Sequence, residues 1–198
     1  MLRFELTYPH AYEIEELGEI PGTGKFGIPT IFFPPPKNRP EHDGLWLKVE
    51  SASGKSWIGI FAFGYSSPPA FSRVLSSPDP SSMCVISNGA GYFVKADEPE
   101  VWEKIPVSPV LDVRTVTEHK LLVFSDFTRL AAFGSSGLVW QSPRVCWDGL
   151  KIVNVSRETI EGVGYDPTIS RESRFVVDLR TGSSLLPAPL STDGKSIW

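Results

Sequence analysis

Two stretches of the chain decide the fold: GYFVKADEPEVWEKIPV at residues 91–107 and RLAAFGSSGLVWQSPRV at residues 129–145. Each begins with a strand-like apolar run, passes through a polar turn and reaches a Trp near its end. A spacing of 38 residues superposes Trp102 on Trp140, and the preceding strands keep the same register. Recurrence at a fixed period is typical of folds that stack copies of one supersecondary unit. The sequence therefore predicts similar small sheets packed on one another.

A third copy, RFVVDLRTGSSLL at residues 174–186, matches when Gly182 is placed on Gly137. Pairs of strand-like runs joined by short polar turns also predict three β-hairpins, which begin at Asp43, Val110 and Asp148. We therefore expect an all-β protein whose single domain, residues 1–198, contains three antiparallel four-stranded repeat units. These units are expected at residues 43–108, 109–146 and 147–190.

The repeats resemble the blades of quinoprotein-type β-propellers. The likeness lies in a strand, a Gly-containing turn and a Leu-Val-Trp ending, and it covers residues 85–106, 123–145 and 175–186. The resemblance implies propeller-blade-like sheets that bury a Trp between neighbours. Three four-stranded repeats would also fit a β-trefoil, so both architectures stay open. Leu185 and Leu186 stand where the third copy would carry its Trp.

An irregular segment, residues 1–42, precedes the repeats. It is expected to hold strands near Leu2–Tyr8 and Tyr12–Leu17, followed by a loop from Ile20 to Pro40 that contains six prolines. Proline lacks the backbone donor that a central strand needs, which excludes that role for the loop. Five Glu face one Arg in the first twenty residues, so these residues of the acidic head account for the whole net charge of -4 and the rest of the chain is neutral. Residues 191–198 form a tail.

Charge and composition exclude several classes of protein. No Lys/Arg stripe of the kind that binds phosphate backbones is present, so we expect no nucleic acid as a partner. The sequence has no apolar run of 18 residues and no basic segment followed by an apolar one, which favours a soluble, cytoplasmic protein without a membrane partner. Cys84 and Cys146 are expected to be buried thiols, and one long-range disulfide is the alternative.

Two motifs are better explained by an ordinary structural role than by a binding function. Residues 22–27 satisfy G-x-G-x-x-G, but Ile28-Pro29 follows instead of a helix that could hold a phosphate. Residues 32–37, FFPPPK, resemble a polyproline II ligand, although a stiff connector across the sheet is the simpler interpretation.

Residues that carry chemistry are few. The Gly134-Ser135-Ser136-Gly137 stretch has the wrong spacing for a nucleophile elbow, and the three His and two Cys have no zinc-ligand spacing. We therefore expect no catalytic residue, no metal and no cofactor.

Hairpin geometry predicts one constellation of interest. The first residue of one strand and the last residue of the next lie at the same end of a hairpin, so Asp148 should lie near Tyr165 and Asp166, and Asp43 near Tyr65. Arranged about an axis, the units would collect carboxylates and aromatics on one rim. The predicted ligand-binding residues of this rim are Asp43, Tyr65, Asp126, Trp147, Asp148, Tyr165 and Asp166, with His42 beside them.

Carboxylates next to aromatics suit a sugar, a cation or a basic peptide. The sequence thus predicts a non-enzymatic binding or interaction module whose partner is a protein or a small polar ligand. The alternative is a glycosidase-like hydrolase that uses paired rim carboxylates. A simpler role is also open, because Asp before Gly or Pro commonly caps its own turn.

Overall fold

Strands dominate the part of the chain described by the computed structural model, which covers residues 2–18, 27–36, 43–65, 68 and 70–186. The predicted all-β class is confirmed: the one helix in these ranges is a single 3-10 turn, Thr117–His119. The chain divides into two compact units, Met1–Ile105 and Pro106–Trp198. The boundary lies close to residue 108, where the first repeat unit is predicted to end.

The first unit contains two sheets. Its strands are β1 Arg3–Glu5, β2 Tyr12–Glu16, β3 Thr30–Phe33, β4 Gly44–Ser51, β5 Ser56–Ala62, β6 Arg73–Ser76, β7 Ser82–Ser87, β8 Ala90–Lys95 and β9 Trp102–Lys104. Sheet I has the order β2-β4-β5-β3, and sheet II has the order β1-β6-β7-β8-β9. The strands β1 and β3 are parallel to their neighbours, and the others are antiparallel.

The core of the first unit lies between sheets I and II. Alternate residues of the strands point into it, as a half-buried sheet requires, and they include Leu47, Phe61, Val85 and Tyr92. Trp57 links the sheets, because its Nε1 donates a hydrogen bond to the Ala96 carbonyl at 2.8 Å. The indole N–H of Trp57 thus has a hydrogen-bond acceptor in a region from which water is excluded.

The second unit also contains two sheets. Its strands are β10 Asp112–Val116, β11 Leu121–Ser125, β12 Leu130–Gly134, β13 Gly137–Gln141, β14 Asp148–Val155, β15 Thr159–Asp166 and β16 Arg171–Asp178. Sheet III is the antiparallel meander β10-β11-β12-β13, and sheet IV is β14-β15-β16. A single bridge between Val177 and Ser184 adds to the edge of sheet IV.

Trp140 links sheets III and IV. The side chain is 7% exposed, and its Nε1 donates to the Leu179 carbonyl at 2.9 Å. The indole also covers Gly182, whose φ is +73° and where a Cβ would lie 2.6 Å from Trp140 Cε3. Glycine suits position 182 for two reasons: it adopts a positive φ readily, and it has no Cβ to strike the Trp140 ring. Around Trp140 the core of the unit includes Val123, Ile160 and Phe175.

The strand arrangement differs from the expected three four-stranded units. The three predicted hairpins are present as β4-β5, β10-β11 and β14-β15. However, residues 43–108 contribute to two sheets, and the described part of the chain forms four sheets of five, four, four and three strands. The head supplies the additional strands β1, β2 and β3, which pair with segments far along the chain.

The expectation of an uninterrupted loop from Ile20 to Pro40 is wrong. Residues 30–33 form strand β3 at the edge of sheet I. An edge strand pairs on one side only, so the prolines around it remove no backbone donor that a central strand would need. Burial explains this strand: Phe33 stacks on Phe61 at 4.6 Å and meets Trp102 edge-on at 5.8 Å. Gly27 is the one residue of the G-x-G-x-x-G motif within the described ranges, and Lys37 lies outside them.

Both cysteines, Cys84 and Cys146, are buried free thiols, as predicted. No helix in the described ranges is long and apolar enough to cross a membrane.

Candidate functional site

The predicted rim residues divide between the two units. In the first unit, Asp43 precedes β4 and its carbonyl accepts the Phe63 amide at 3.4 Å, so the two ends of the hairpin meet as predicted. Tyr65 lies two residues further on, and its amide donates to the Asn88 carbonyl at 2.7 Å. The Tyr65 backbone is therefore held by the β7–β8 turn. His42 lies outside the described residues.

In the second unit, the structure brings Trp147, Asp148, Tyr165 and Asp166 together where β14 begins and β15 ends. Asp148 lies directly opposite Tyr165, and the Trp147 amide donates to the Tyr165 carbonyl at 3.0 Å. We call these four residues, together with Arg144, the Trp147 corner. This is the juxtaposition that hairpin geometry predicts.

A loop from sheet III holds the backbone next to the Trp147 corner. The Val145 amide donates to the Thr128 carbonyl at 2.9 Å, and the Leu150 amide donates to the Phe127 carbonyl at 3.0 Å. Between these bonds, the buried Cys146 points its Sγ toward the Phe127 carbonyl at 3.5 Å. The segment that carries Trp147 is therefore fixed on both sides.

Asp126 belongs to this supporting loop rather than to the exposed surface of the corner. Its Oδ1 accepts the amides of Thr128 and Arg129, each at 2.7 Å. Asp166 does the same for its own turn, because its Oδ1 accepts the Thr168 amide at 2.9 Å. Both carboxylates thus have the turn-capping role that Asp commonly has in such loops.

Asp148 also bonds a local amide, but it is more exposed than Asp126 and Asp166. Its Oδ1 accepts the amide of Gly149 at 2.7 Å, and the side chain is exposed at the start of β14. The register continues from Asp148 across Tyr165 to Glu172 on β16, so Tyr165 lies between two acidic residues on one face of sheet IV. This row can offer a ring surface and carboxylate oxygens to the same ligand.

Two large aromatic side chains remain open to solvent at this corner. Trp147 is 39% exposed and Tyr165 is 42% exposed, although most apolar side chains of the second unit are buried. The guanidinium of Arg144 lies 5.0 Å from the centre of the Trp147 ring, and its Nη2 donates to the Trp147 carbonyl at 3.1 Å. Arg144 therefore fixes the indole through a cation–π contact.

Arg144 is not among the site residues that the sequence predicts. The contact of Arg144 with the Trp147 ring depends on how the chain turns after Pro143, which the sequence does not specify. The sequence shows only that an Arg stands three residues before a Trp.

Nucleophilic chemistry has little support at the corner. Burial, followed by the nearby charge of Asp148, raises the pKa of the Cys146 thiol to about 12. A thiol of this kind is protonated at neutral pH and is a poor nucleophile. Among the residues that the structure describes, no three His, Cys, Asp or Glu side chains are grouped so that they could hold a metal ion.

Comparison with known proteins found no matching family model and no matching curated protein. The function is therefore inferred from the geometry of the Trp147 corner.

Proposed function

We propose that the protein is a non-enzymatic binding module that contacts a protein or a small polar ligand through the Trp147 corner. One observation carries the proposal: Trp147 and Tyr165 keep 39% and 42% of their surface exposed at neighbouring strand ends. Exposed aromatics with a polar surround are typical of contact surfaces, because a ring offers apolar area while ordering few side-chain torsions.

Rigidity supports this role. The backbone of Trp147 is bonded to Tyr165 on one side and to Arg144 on the other. A contact surface that is ordered before binding loses less conformational entropy when the ligand arrives. The corner therefore suits recognition better than a loop that would have to order itself.

The polar groups around the rings define the chemistry of the ligand. Asp148 and Glu172 flank Tyr165 with carboxylate oxygens, which accept hydrogen bonds, and Glu172 Oε1 already accepts one from Lys151 Nζ at 3.0 Å. Arg144 adds N–H donors beside Trp147. A ligand with hydroxyl or amino groups and a flat or apolar face can bond the carboxylates beside Tyr165 or the guanidinium beside Trp147.

The alternative, a glycosidase-like hydrolase, has less support. Such enzymes need two carboxyl groups free to exchange protons and to face the same bond. In the second unit, Asp126 and Asp166 each use an oxygen to hold the amides of their own turn. These two residues therefore stabilise the loops that present the aromatics.

We also propose that the sheets are blade-like repeats of the kind the sequence resembles. Two interactions support this: Trp57 donates to the Ala96 carbonyl and Trp140 to the Leu179 carbonyl, each across 39 residues. In both units a Trp of one sheet thus bonds to the backbone that follows a strand of the next. Such a repeated link is expected when similar sheets stack in sequence.

An array of immobilised oligosaccharides and short peptides tests the binding function on the full chain. We expect saturable binding to at least one class of ligand. Trp147→Ala and Tyr165→Ala should each weaken that binding about tenfold or more, which is the size of effect found for central aromatic anchors. The folded chain should survive both changes, since the two side chains are exposed.

Val139→Ala provides a matched control. Val139 is also exposed, at 49%, but belongs to β13 outside the corner. The control should bind as the unaltered chain does. Equal loss of binding in Val139→Ala, or full binding by the double variant Trp147→Ala/Tyr165→Ala, would contradict the proposal.

A further inference from the structure

The first strands of sheets III and IV border an open groove that is separate from the Trp147 corner. The groove has a volume of about 620 Å³ and runs between β10 and β14. Both are edge strands, each paired on one side within its sheet. The groove is open to solvent.

Arg114 presents a guanidinium on one wall of this groove, and the structure fixes its orientation from two sides. Its Nε donates to Asp112 Oδ2 at 2.9 Å, and its Nη2 donates to the Ile152 carbonyl at 3.2 Å. A guanidinium has five N–H donors, so three remain for a ligand. Because the side chain is already ordered, a bound anion would cost less side-chain entropy here than at a free arginine.

Arg157 supplies a second guanidinium to the same groove. Its Nε lies 3.3 Å from Glu118 Oε2, in a pair whose side chains are 83% and 56% exposed. Such exposed pairs contribute little to stability and are readily exchanged. An incoming anion can therefore compete with the Glu118 carboxylate for the guanidinium of Arg157.

The remaining lining is polar and open. Thr115 offers a hydroxyl and Asn154 an amide from opposite strands. Val153 is an extra residue in β14, because the pairing moves from Ile152 opposite Gly162 to Asn154 opposite Glu161. Bulges of this kind re-aim a side chain, and Val153 is 69% exposed at the groove. Besides polar donors, the groove thus has a small apolar wall.

From these contacts we infer that the groove between β10 and β14 binds a small organic anion, a phosphate or carboxylate that also carries hydroxyl groups. Arg114 and Arg157 each offer N–H donors to an anionic group, since arginine forks match the oxygens of phosphate and carboxylate. Thr115 and Asn154 bond the hydroxyl groups. This inference does not depend on the function proposed for the Trp147 corner.

Titration of the full chain with inorganic phosphate, glycerol 3-phosphate and citrate tests the inference. Binding is followed by NMR shifts of the backbone amides of β10 and β14 at constant ionic strength, because screening otherwise changes with added salt. Neutral glycerol serves as the uncharged probe. We expect saturable shifts with glycerol 3-phosphate or citrate and none with glycerol, and the two anions distinguish a phosphate site from a carboxylate site.

Substitutions locate the site. Arg114→Gln and Arg157→Gln should each weaken binding about tenfold, a difference that titration resolves easily. Val153→Glu should weaken it too, by bringing a carboxylate to the groove without removing an arginine. Arg129→Gln alters an exposed arginine outside the groove and should leave binding within about twofold of the unaltered chain.

Two results would overturn the inference. One is the absence of saturable shifts with all three anions up to about 10 mM, which is weaker than a specific site should be. The other is an equal loss of affinity in Arg129→Gln and Arg157→Gln, which would show attraction to positive charge in general. If Arg114→Gln does not fold, Arg157→Gln and Val153→Glu decide the matter, since both positions are exposed.

Discussion

Replacement of Trp140 by alanine should remove much of the stability of the second unit. Trp140 is 7% exposed and packs between sheets III and IV, so its truncation leaves a large cavity. Buried Trp→Ala changes cost about 3–5 kcal/mol through lost burial and cavity formation. The Leu179 carbonyl also loses the donor that now lies 2.9 Å away. An unsatisfied buried carbonyl adds to the cost, so we expect a loss near the upper end of that range.

Trp140→Phe separates packing from hydrogen bonding. The smaller ring keeps most of the apolar contact but cannot donate to Leu179, so we expect a loss of about 1–3 kcal/mol. Trp147→Ala is the control at an exposed indole and should cost less than about 1 kcal/mol.

Urea unfolding of the full chain, followed by far-UV circular dichroism, measures these differences. If the two units unfold in separate transitions, each transition is fitted by itself. A loss below about 1 kcal/mol for Trp140→Ala would show that the indole is not a link between sheets. Equal losses for Trp140→Ala and Trp147→Ala would refute the reasoning as well.

Three further predictions concern a backbone position, a carboxylate and a thiol. Gly182→Ala should destabilise the chain more than Gly149→Ala: both glycines have positive φ, which costs alanine about 1–2 kcal/mol, but only the Gly182 methyl would strike the Trp140 ring. Urea unfolding measures both, and equal losses would contradict the contact. Burial acts to raise the pKa of Asp79, but hydrogen bonds from Lys95 and two serines outweigh it and lower the pKa from 3.8 to about 2. Ionised Asp79 should therefore stabilise the fold above pH 4, by about 1 kcal/mol after solvent screening, and this part of its advantage over Asp79→Ala should be lost as the pH falls through about 2. Unfolding at a series of pH values checks the sign, and an advantage that grows on acidification would be contrary to it. Cys146 should react with a disulfide reagent at least about 100-fold more slowly in the native chain than in urea, because it is buried and its pKa is raised to about 12; equal rates would contradict this.

Local patterns in the sequence predict the elements of the fold but not their partners. The hairpins follow from alternation and polar turns, and burial of Trp140 follows from its apolar strand. The pairing of β1 with β6, which joins Phe4 to Val74, depends on contacts about seventy residues apart. No local repeat in the sequence indicates such long-range pairing. The sequence therefore predicts one sheet from residues 43–108, whereas in the structure these residues contribute to two.

The same limit applies to the predicted equivalence of two tryptophans. Trp102 and Trp140 both lie in the last strand of a meander, but their surroundings differ. Trp102 is half-buried and meets Phe33 edge-on, whereas Trp140 is buried and bonds to a carbonyl. Spacing indicates a position in a sheet, while the neighbouring sheet determines what the side chain touches.

Candidate site residues show a similar division. Hairpin geometry correctly places Asp148 beside Tyr165, because that contact depends only on strand register. The turn-capping role of Asp126 and Asp166 was an open alternative, and the hydrogen bonds to their own turns support it. Arg144 was missed because its contact with the Trp147 ring is tertiary.

An NMR titration of the indole N–H signals tests the central claim most directly. The best ligand of the array is added to the full chain, and the signals are assigned with single Trp→Phe variants. We predict that the Trp147 signal shifts in proportion to ligand bound, while the buried Trp57 and Trp140 signals, held by their carbonyl partners, stay in place. Saturable binding that leaves the Trp147 signal unchanged would contradict the account.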